Sequence, residues 1–227
     1  MSNSGNDWFS IEAITSEDRQ AVIEFLKKFF YRDEPLNNAL GLMDDAKAIV
    51  KLEAYCNSLL DSGLACKAVS KDGHLIGVIL NGVKCKFDKH EDDTEDDTKF
   101  KLIMTFLKKV DNEANVFGQY PNVCRILYID TVSVDDKYRG KGVCKALIDK
   151  TRCLHLFFRE LAFKNRCSMV YIECSNYFSA KAAEKLGFQC IYTLSYKDYL
   201  NDQGQPIFNP PPPHTHSRVY VLPLDND

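Results

Sequence analysis

Arg125-Ile-Leu-Tyr-Ile-Asp-Thr-Val-Ser-Val134, followed by Asp135-Asp-Lys-Tyr-Arg-Gly-Lys-Gly142, decides the fold. The first ten residues are rich in β-branched and aromatic side chains, which suit a buried strand. The next eight end in Arg139-Gly-Lys-Gly142, and the stretch from 142 to about 165 reads as a long helix. A strand is thus joined to a helix through a glycine turn. Glycines let the main chain approach a ligand closely, and the first free amides of a helix point toward anions. Arg139 and Lys141 add positive charge, so the turn suits a diphosphate. It is not a nucleotide P-loop, because G-x-x-x-x-G-K-[ST] is absent and Gly142 follows Lys141. Nor is it a dinucleotide fingerprint, which needs a third glycine where Lys145 stands. Read alone, the turn also fits a plain helix start.

Toward the N-terminus, 10–14 reads as a short strand. A helix begins near Ser16 and carries Ala21, Val22, Phe25, Leu26 and Phe29 at helical spacing. Pro35 is expected to end it, because proline pushes the preceding residue into an extended conformation. A second helix spans 44–60, with Asp44 and Asp45 favourable near its N-terminus and Gly63 beyond its end. Residues 64–70 and 74–84 flank Lys71-Asp-Gly73 as two strands around a tight turn. The run 90–98, H-E-D-D-T-E-D-D-T, lacks the glycine and terminal Glu of a calcium loop. It reads as an acidic, mobile loop over about 88–98. A helix follows over 99–110. Beyond the glycine turn, 169–174 is a strand and 177–185 a helix stopped by Gly187. Residues 188–196 and 217–222 are two further strands, separated by a stiff Asn209-Pro-Pro-Pro-Pro213 segment. Strands and helices mix irregularly, which indicates an α/β (α+β) fold with a sheet covered by helices.

The 227 residues include 29 basic and 32 acidic side chains, a formal charge of −3, with no dominant Lys/Arg-rich stretch. That balance argues against a nucleic-acid or anionic-membrane surface. The longest apolar runs, such as 75–80, fall far short of the roughly 20 residues a membrane span needs. The polar start, Met1-Ser-Asn-Ser-Gly-Asn-Asp7, fits neither a secretory nor a transit peptide, so a cytoplasmic protein with a single domain over 1–227 is expected. Nine cysteines are scattered with no C-x-x-C pair. Several, such as Cys174, sit in apolar strand-like runs where a thiol behaves as a small hydrophobe. His214-x-His216 has no third ligand of suitable spacing nearby, so no metal is expected.

Lys137-Tyr-Arg-Gly-Lys-Gly142 resembles the Q/R-x-x-G-x-G/A signature of the GNAT superfamily of N-acetyltransferases, with Lys137 in place of the usual first residue. Asn176 through Lys185-Leu-Gly-Phe188 resembles that superfamily's N-…-A-…-K-x-G-F motif. The resemblance implies a single GNAT-type domain with a mixed, mostly antiparallel central sheet, a splayed strand pair and helices on both faces. Its core would span about 125–190 and bind acetyl-CoA as co-substrate. Main-chain amides of Val132, Ser133 and Val134, and of Arg139, Gly140, Lys141, Gly142, Val143 and Cys144, would hold the pantetheine and pyrophosphate, with Asn176 nearby. The strands carrying Val132 and Tyr171 would part to admit the pantetheine arm.

Three further stretches, Tyr31-Arg-Asp-Glu-Pro-Leu36, Cys174-Ser-Asn-Tyr-Phe-Ser179 and Pro213-His214-Thr215, look like insect-type arylalkylamine N-acetyltransferases. By that resemblance Glu34 is the general base, Ser175 and Ser179 take proton-transfer roles, and Tyr31, Pro35 and His214 line the amine site. The tyrosine that many superfamily members use as general acid falls on Ala183 and is missing.

The chemistry wants such residues. An alkylamine, with a pKa of about 10, arrives as a cation and must lose a proton before it attacks a thioester. A Glu34 at a helix end faces the negative end of the helix dipole, and Phe29, Phe30 and Leu36 would bury it. Both effects raise a carboxylate pKa. Phe29, Phe30, Tyr31 and Tyr177 offer aromatic walls, while Asp33, Asp44 and Asp45 offer to attract a cation. Arylalkylamines and amines such as agmatine therefore both stay open. The expected reaction is direct attack of a bound small-molecule amine on acetyl-CoA in a ternary complex, catalysed by a monomer without a covalent cysteine intermediate. Acetylation of a protein or peptide amine, or a CoA-binding sensor without catalysis, are the alternatives.

Overall fold

The apolar run 75–80 forms the first half of the longest strand, and the strongly β-prone 125–134 segment pairs along its side. The computed structural model describes residues 8–88, 98–161 and 167–224, with the main chain alone over 153–161. Strands β1 (Phe9–Ala13), β2 (Cys66–Ser70), β3 (Leu75–Cys85), β4 (Arg125–Val134), β5 (Met169–Cys174), β6 (Gln189–Ser195) and β7 (His216–Pro223) form one sheet. Its order is β1-β2-β3-β4-β5-β7-β6. Only the β4–β5 pair is parallel; the other neighbours run antiparallel.

Helices α1 (Arg19–Leu26), α2 (Pro35–Leu40), α3 (Ala46–Asp61) and α4 (Lys99–Ala114) cover one face, with a short α5 (Val116–Gln119) after them. There Val22, Leu26, Leu36, Leu52 and Phe106 pack on Val78, Leu80, Ile126 and Val221. On the other face α6 (Val143–Leu161) and α7 (Tyr177–Lys185) bring Val143, Leu147, Ile148, Ala180 and Ala183 against Ile79, Ile129, Val170 and Ile172. Burying these side chains contributes roughly 1.5–3 kcal/mol each for the larger ones, relative to exposure. No described helix is long and apolar enough to cross a membrane.

Several expected boundaries shift for local reasons. The first helix does not run on to Pro35. It ends at Leu26, widens into one π-helical turn over Lys27–Tyr31, and closes with the Glu34 amide on the Phe30 carbonyl at 2.9 Å. Pro35 then opens α2 as its first residue, where a missing N–H costs nothing. The 99–110 helix continues to Ala114 and stops at Asn115, which adopts φ 41° and begins α5. The acidic run lies outside the described residues except for Asp88 and Thr98, and Thr98 caps α4 by accepting from the Lys101 amide at 3.3 Å. Residues 162–165 of the expected long helix also lie outside them.

Two features position the site. Pairing between β4 and β5 covers only Ile126–Ile129 against Met169–Ile172, whereas β4 runs on to Val134 and β5 to Cys174. Just where pairing stops, the β3 register jumps from Leu80↔Thr131 to Asn81↔Ile129, leaving Asp130 as an extra residue. Such a bulge bends a strand and re-aims its side chains.

Gly77 of β3 lets α6 sit close to the sheet. A Cβ there would stand 2.9 Å from Val143 Cγ1, 3.0 Å from Leu147 Cδ1 and 3.3 Å from the Ser133 carbonyl oxygen. Gly77→Ala is therefore expected to destabilise the fold by about 1–3 kcal/mol through overpacking, read as a lower urea midpoint. An unchanged midpoint would show that α6 does not bear on this position.

Candidate active site

The strand pair that separates after Ile129 and Ile172 leaves one edge of residues 131–134 without a neighbouring strand, while β3 pairs the other edge. The glycine turn follows at once. Gly140 and Gly142 take φ 73° and 88°, where a Cβ is disfavoured, and beyond their chain neighbours no heavy atom lies within 4 Å of the place a Cβ would occupy at either. The first turn of α6 begins directly behind them at Val143. An open cradle of glycine main chain at a helix N-terminus fits a diphosphate. Lys141 lies over the Tyr138 ring at 5.3 Å, and Tyr138 stacks on Trp8 at 5.8 Å, so the turn is braced by the residue just before β1.

Arg139 does not present a free charge to that turn. Its Nε donates to the Val134 carbonyl at 3.1 Å, and its guanidinium pairs with Asp33 at 2.7 Å and Asp136 at 2.9 Å. Arg32 joins the same network through Asp33 at 2.5 Å and Asp136 at 3.2 Å. The two guanidiniums hold the Asp33 carboxyl below its usual range. The network ties the glycine turn to the segment carrying Glu34. It lines a cavity of about 390 Å³ together with Pro35 and His214.

Glu34 lies on the other side of its own loop. Extended backbone at φ −64°, ψ 130° makes it the N-cap of α2, and its Oε2 accepts from the Asn37 amide at 2.7 Å. Its Oε1 accepts from Ser175 Oγ at 2.7 Å, across 141 residues of sequence. Ser175 follows β5 directly, and its carbonyl accepts from Tyr196 Oη at 2.7 Å. Burial raises the Glu34 pKa above the ordinary range, against the lowering effect of the Ser175 and Asn37 hydrogen bonds. The expected helix-dipole cause is therefore corrected: the side chain sits at the positive end of α2, which favours its charge, and desolvation alone pushes the pKa up.

Glu34 and Ser175 open into a cavity of about 580 Å³ between the sheet, α3 and α4. Phe30, Tyr55, Phe100, Tyr128 and Tyr171 give it aromatic walls, and α4 adds Ile103, Met104 and Leu107. Four carboxylates absent from the expected set also line it: Asp88, Asp111, Asp130 and Glu173. Asp130, the bulged residue, accepts from Tyr55 Oη, and from Thr131 Oγ1 at 2.9 Å. Glu173 accepts from Ser217 Oγ at 2.9 Å. Asp111 pairs with Lys84 and accepts from Tyr171 Oη at 3.0 Å. Burial raises the Asp130 pKa, and it raises that of Glu173 well above the usual range, with Asp111, Asp130 and Glu34 adding like-charge repulsion. A single acidic residue inside an apolar strand, Ile129-Asp130 or Ile172-Glu173, is the signal that sequence reading passed over.

Other expected residues are distributed differently. Tyr31 is fully buried in the core beside Phe25 and Leu26 and lines neither cavity, because the π-helical turn directs Phe30 to the cavity instead. Phe29 is likewise core. Asn176 caps α7 through its Oδ1, which accepts from the Phe178 amide at 2.8 Å; this cap uses the carboxamide oxygen and not its Nδ2 donors. Ser179 donates to the Asn176 carbonyl at 2.9 Å and lines neither cavity. His214 Nδ1 accepts from the Tyr177 amide at 3.2 Å, and burial lowers its pKa, which favours the neutral ring. Asp45 caps α3 through the Ala48 amide at 3.0 Å. Cys174 is buried, and that burial pushes its thiol up, away from thiolate chemistry; Cys144 is pushed up to about 12. Among the described residues no group of three His, Cys, Asp or Glu stands close enough to hold a metal.

The buried carboxylates have a consequence for stability. Glu173 binds its proton more tightly folded than unfolded, so the native state loses stability as pH rises from the ordinary glutamate range through the raised folded value. Glu173→Gln keeps an acceptor for Ser217 and removes the charge. The variant is expected to melt higher than the parent, with the gap widening from pH 5 to pH 8. A gain of 1 kcal/mol corresponds to roughly 2–4 °C in a domain of this size. A gap that shrinks with pH would mean that Glu173 is well solvated or paired.

The geometry has counterparts among known proteins. Residues 19–188 match the model of the acetyltransferase (GNAT) family. The chain is similar to arylalkylamine N-acetyltransferase 2 from Aedes aegypti, with 31% identity, 97% of this chain and 100% of that one covered, and a TM-score of 0.85. A mosquito arylalkylamine N-acetyltransferase like 5b superposes with a TM-score of 0.79 at 22% identity, over 95% and 100% of the two chains. A Drosophila melanogaster polyamine N-acetyltransferase, which forms N-acetylagmatine, does so with 0.74 at 22% identity over the same shares. The last two likenesses speak for the fold. A family match over three quarters of the chain, on a sheet that parts beside a glycine turn, means that this protein belongs to the acetyltransferase (GNAT) family.

Proposed function

We propose that the protein transfers the acetyl group of acetyl-CoA to the primary amine of a small arylalkylamine, acting as a cytoplasmic monomer by direct attack in a ternary complex. The observation that carries this reading is the Glu34–Ser175 hydrogen bond at 2.7 Å, which sets a buried carboxylate at the mouth of the parted strands inside an aromatic-walled cavity. The likeness to the Aedes aegypti arylalkylamine enzyme supports the substrate class. Agmatine is the second candidate, favoured by the carboxylates Asp130 and Glu173 in the same cavity.

Acetyl-CoA would lie with its diphosphate on the main chain of 139–144 and its pantetheine along residues 132–134. The amine enters the 580 Å³ cavity as a cation, which the carboxylates attract. Glu34 takes one proton from the ammonium group. The freed nitrogen lone pair forms the C–N bond to the thioester carbonyl carbon, and the C–S bond breaks to release CoA thiolate. The second nitrogen proton balances that thiolate, so the net products are amide, CoA thiol and one proton. Ser175 acts as a positioning residue: its hydroxyl donates to Glu34 Oε1 and leaves the carboxylate aimed into the cavity. Ser179 is left to brace the first turn of α7. Alignment of the two substrates and deprotonation lower the barrier together.

Glu34→Gln is expected to lower kcat by roughly 10²-fold or more near neutral pH, with acetyl-CoA affinity spared. Because burial raises the Glu34 pKa, the parent's kcat/KM should climb with pH through a limb above the ordinary glutamate range. The variant should lose that limb and recover partly at alkaline pH, where the free amine is abundant. Thiol release measured from pH 5.5 to 9.5 checks both. Coincident profiles would remove Glu34 from the mechanism. Running dopamine, serotonin, tyramine, agmatine and putrescine through the same assay tests the amine class.

A further inference from the structure

Among the described polar side chains of the amine cavity that the transfer scheme leaves unused, Asn37 is the one with a buried, unpartnered side-chain atom. Asn37 stands in the first turn of α2, is 4% exposed, and lines the same cavity as Phe30, Leu36 and Phe100. Its Nδ2 is buried without a hydrogen-bond partner. Its main-chain N–H is a separate matter, since that donor holds Glu34 Oε2 at 2.7 Å. The carboxamide is therefore not needed to place the base. A buried amide with no partner is costly, and in a ligand cavity the missing partner is naturally an atom of the ligand.

Building on the amine acetyltransferase reading, we propose that Asn37 is a specificity-determining residue that hydrogen-bonds a hydroxyl of the acceptor amine. A neutral carboxamide does not select a second cation; Asp130 and Glu173 are the groups for that. It selects hydrogen-bonding shape instead. A hydroxyl complements either end of the amide, accepting from Nδ2 or, after a half-turn of the amide plane, donating to Oδ1. The aromatic rings beside it hold the hydrocarbon part of the same substrate. An amine without the oxygen leaves the carboxamide unpaired in the complex, and sites built this way reject such analogues through that unpaired group. The residue thus separates hydroxylated amines from their deoxygenated counterparts, while Glu34 acts equally on both.

The test compares kcat/KM for phenethylamine, tyramine and 2-amino-1-phenylethanol in the parent, Asn37→Ala and Asn37→Thr, with acetyl-CoA binding by calorimetry as the check on folding. The phenol and the side-chain alcohol distinguish which oxygen is read. The parent should favour one hydroxylated amine over phenethylamine by roughly tenfold, and Asn37→Ala should bring that ratio to within about twofold of unity. A purely structural role would lower all three rates together and leave the ratio alone. That result, or a parent with no preference for either hydroxyl, overturns the proposal. Should Asn37→Ala lose acetyl-CoA binding, the ratio in Asn37→Thr decides in the same way. If the parent binds acetyl-CoA but releases no thiol with any amine, the acetyltransferase reading itself falls and takes this inference with it.

Discussion

Everything in the site follows from the early end of one parallel pairing. β4 and β5 share four residue pairs and then part, so the sheet carries its own opening while its other strands stay hydrogen-bonded. A gap in a sheet exposes main-chain donors and acceptors, which must be satisfied by something other than a strand. On one face of the opening, α6 and its glycine turn supply an anion cradle; on the other, α2, α3 and α4 enclose an aromatic-walled chamber. Two substrates can then meet through the sheet rather than side by side on its surface. The bulge at Asp130 lies where the strands part, and it turns both Asp130 and Thr131 toward the chamber.

The chamber is electrostatically expensive. Glu34, Asp130 and Glu173 are all desolvated, and all three pKa values are raised for that reason. Like charges sharing a low-dielectric space favour partial protonation over full ionisation. A cationic ligand relieves that repulsion, which makes the cavity a better host for an ammonium ion than for a neutral molecule of the same shape. The hydroxyl donors Tyr55, Thr131 and Ser217 stabilise the carboxylates without adding positive charge. The same residues therefore weaken the free protein and strengthen its complex.

Much of the fold was legible because its signals are local. Periodicity marks α3, α4 and α6, the Asp-Gly turn marks the β2–β3 hairpin, and 125–134 reads as a strand without any tertiary information. The glycine turn was legible for the same reason. Errors arose where a local rule has two outcomes. Proline both ends and begins helices, so Pro35 located a boundary but not the side of it on which Glu34 would be held. The π-helical turn at Lys27–Tyr31 shifts the phase of three aromatic residues, and no 3.6-residue pattern assigns Tyr31 to the core and Phe30 to the cavity. Asp130 and Glu173 were passed over because one acid in an apolar strand has no periodic signature. The charge of Arg139 counted toward the glycine turn because its partners Asp33 and Asp136 approach only in three dimensions.

Competing effects act on Glu34, the base of the proposed transfer. At the α2 N-cap it accepts a main-chain N–H and faces the positive end of a helix, and Ser175 adds a second hydrogen bond. Each of these stabilises the carboxylate and would make it a weak base. Burial opposes both and prevails, so the pKa rises. A carboxylate held in place by two hydrogen bonds yet raised by desolvation is both oriented and basic, whereas a solvated glutamate would be neither. The hydrogen on Ser175 Oγ points at Glu34, so in this arrangement the serine is a donor to the base rather than a proton source for the departing thiolate. In the proposed transfer, with Ala183 where a tyrosine acid would stand, the thiolate leaves as the anion, which a thiol of pKa about 8.5 tolerates near neutral pH.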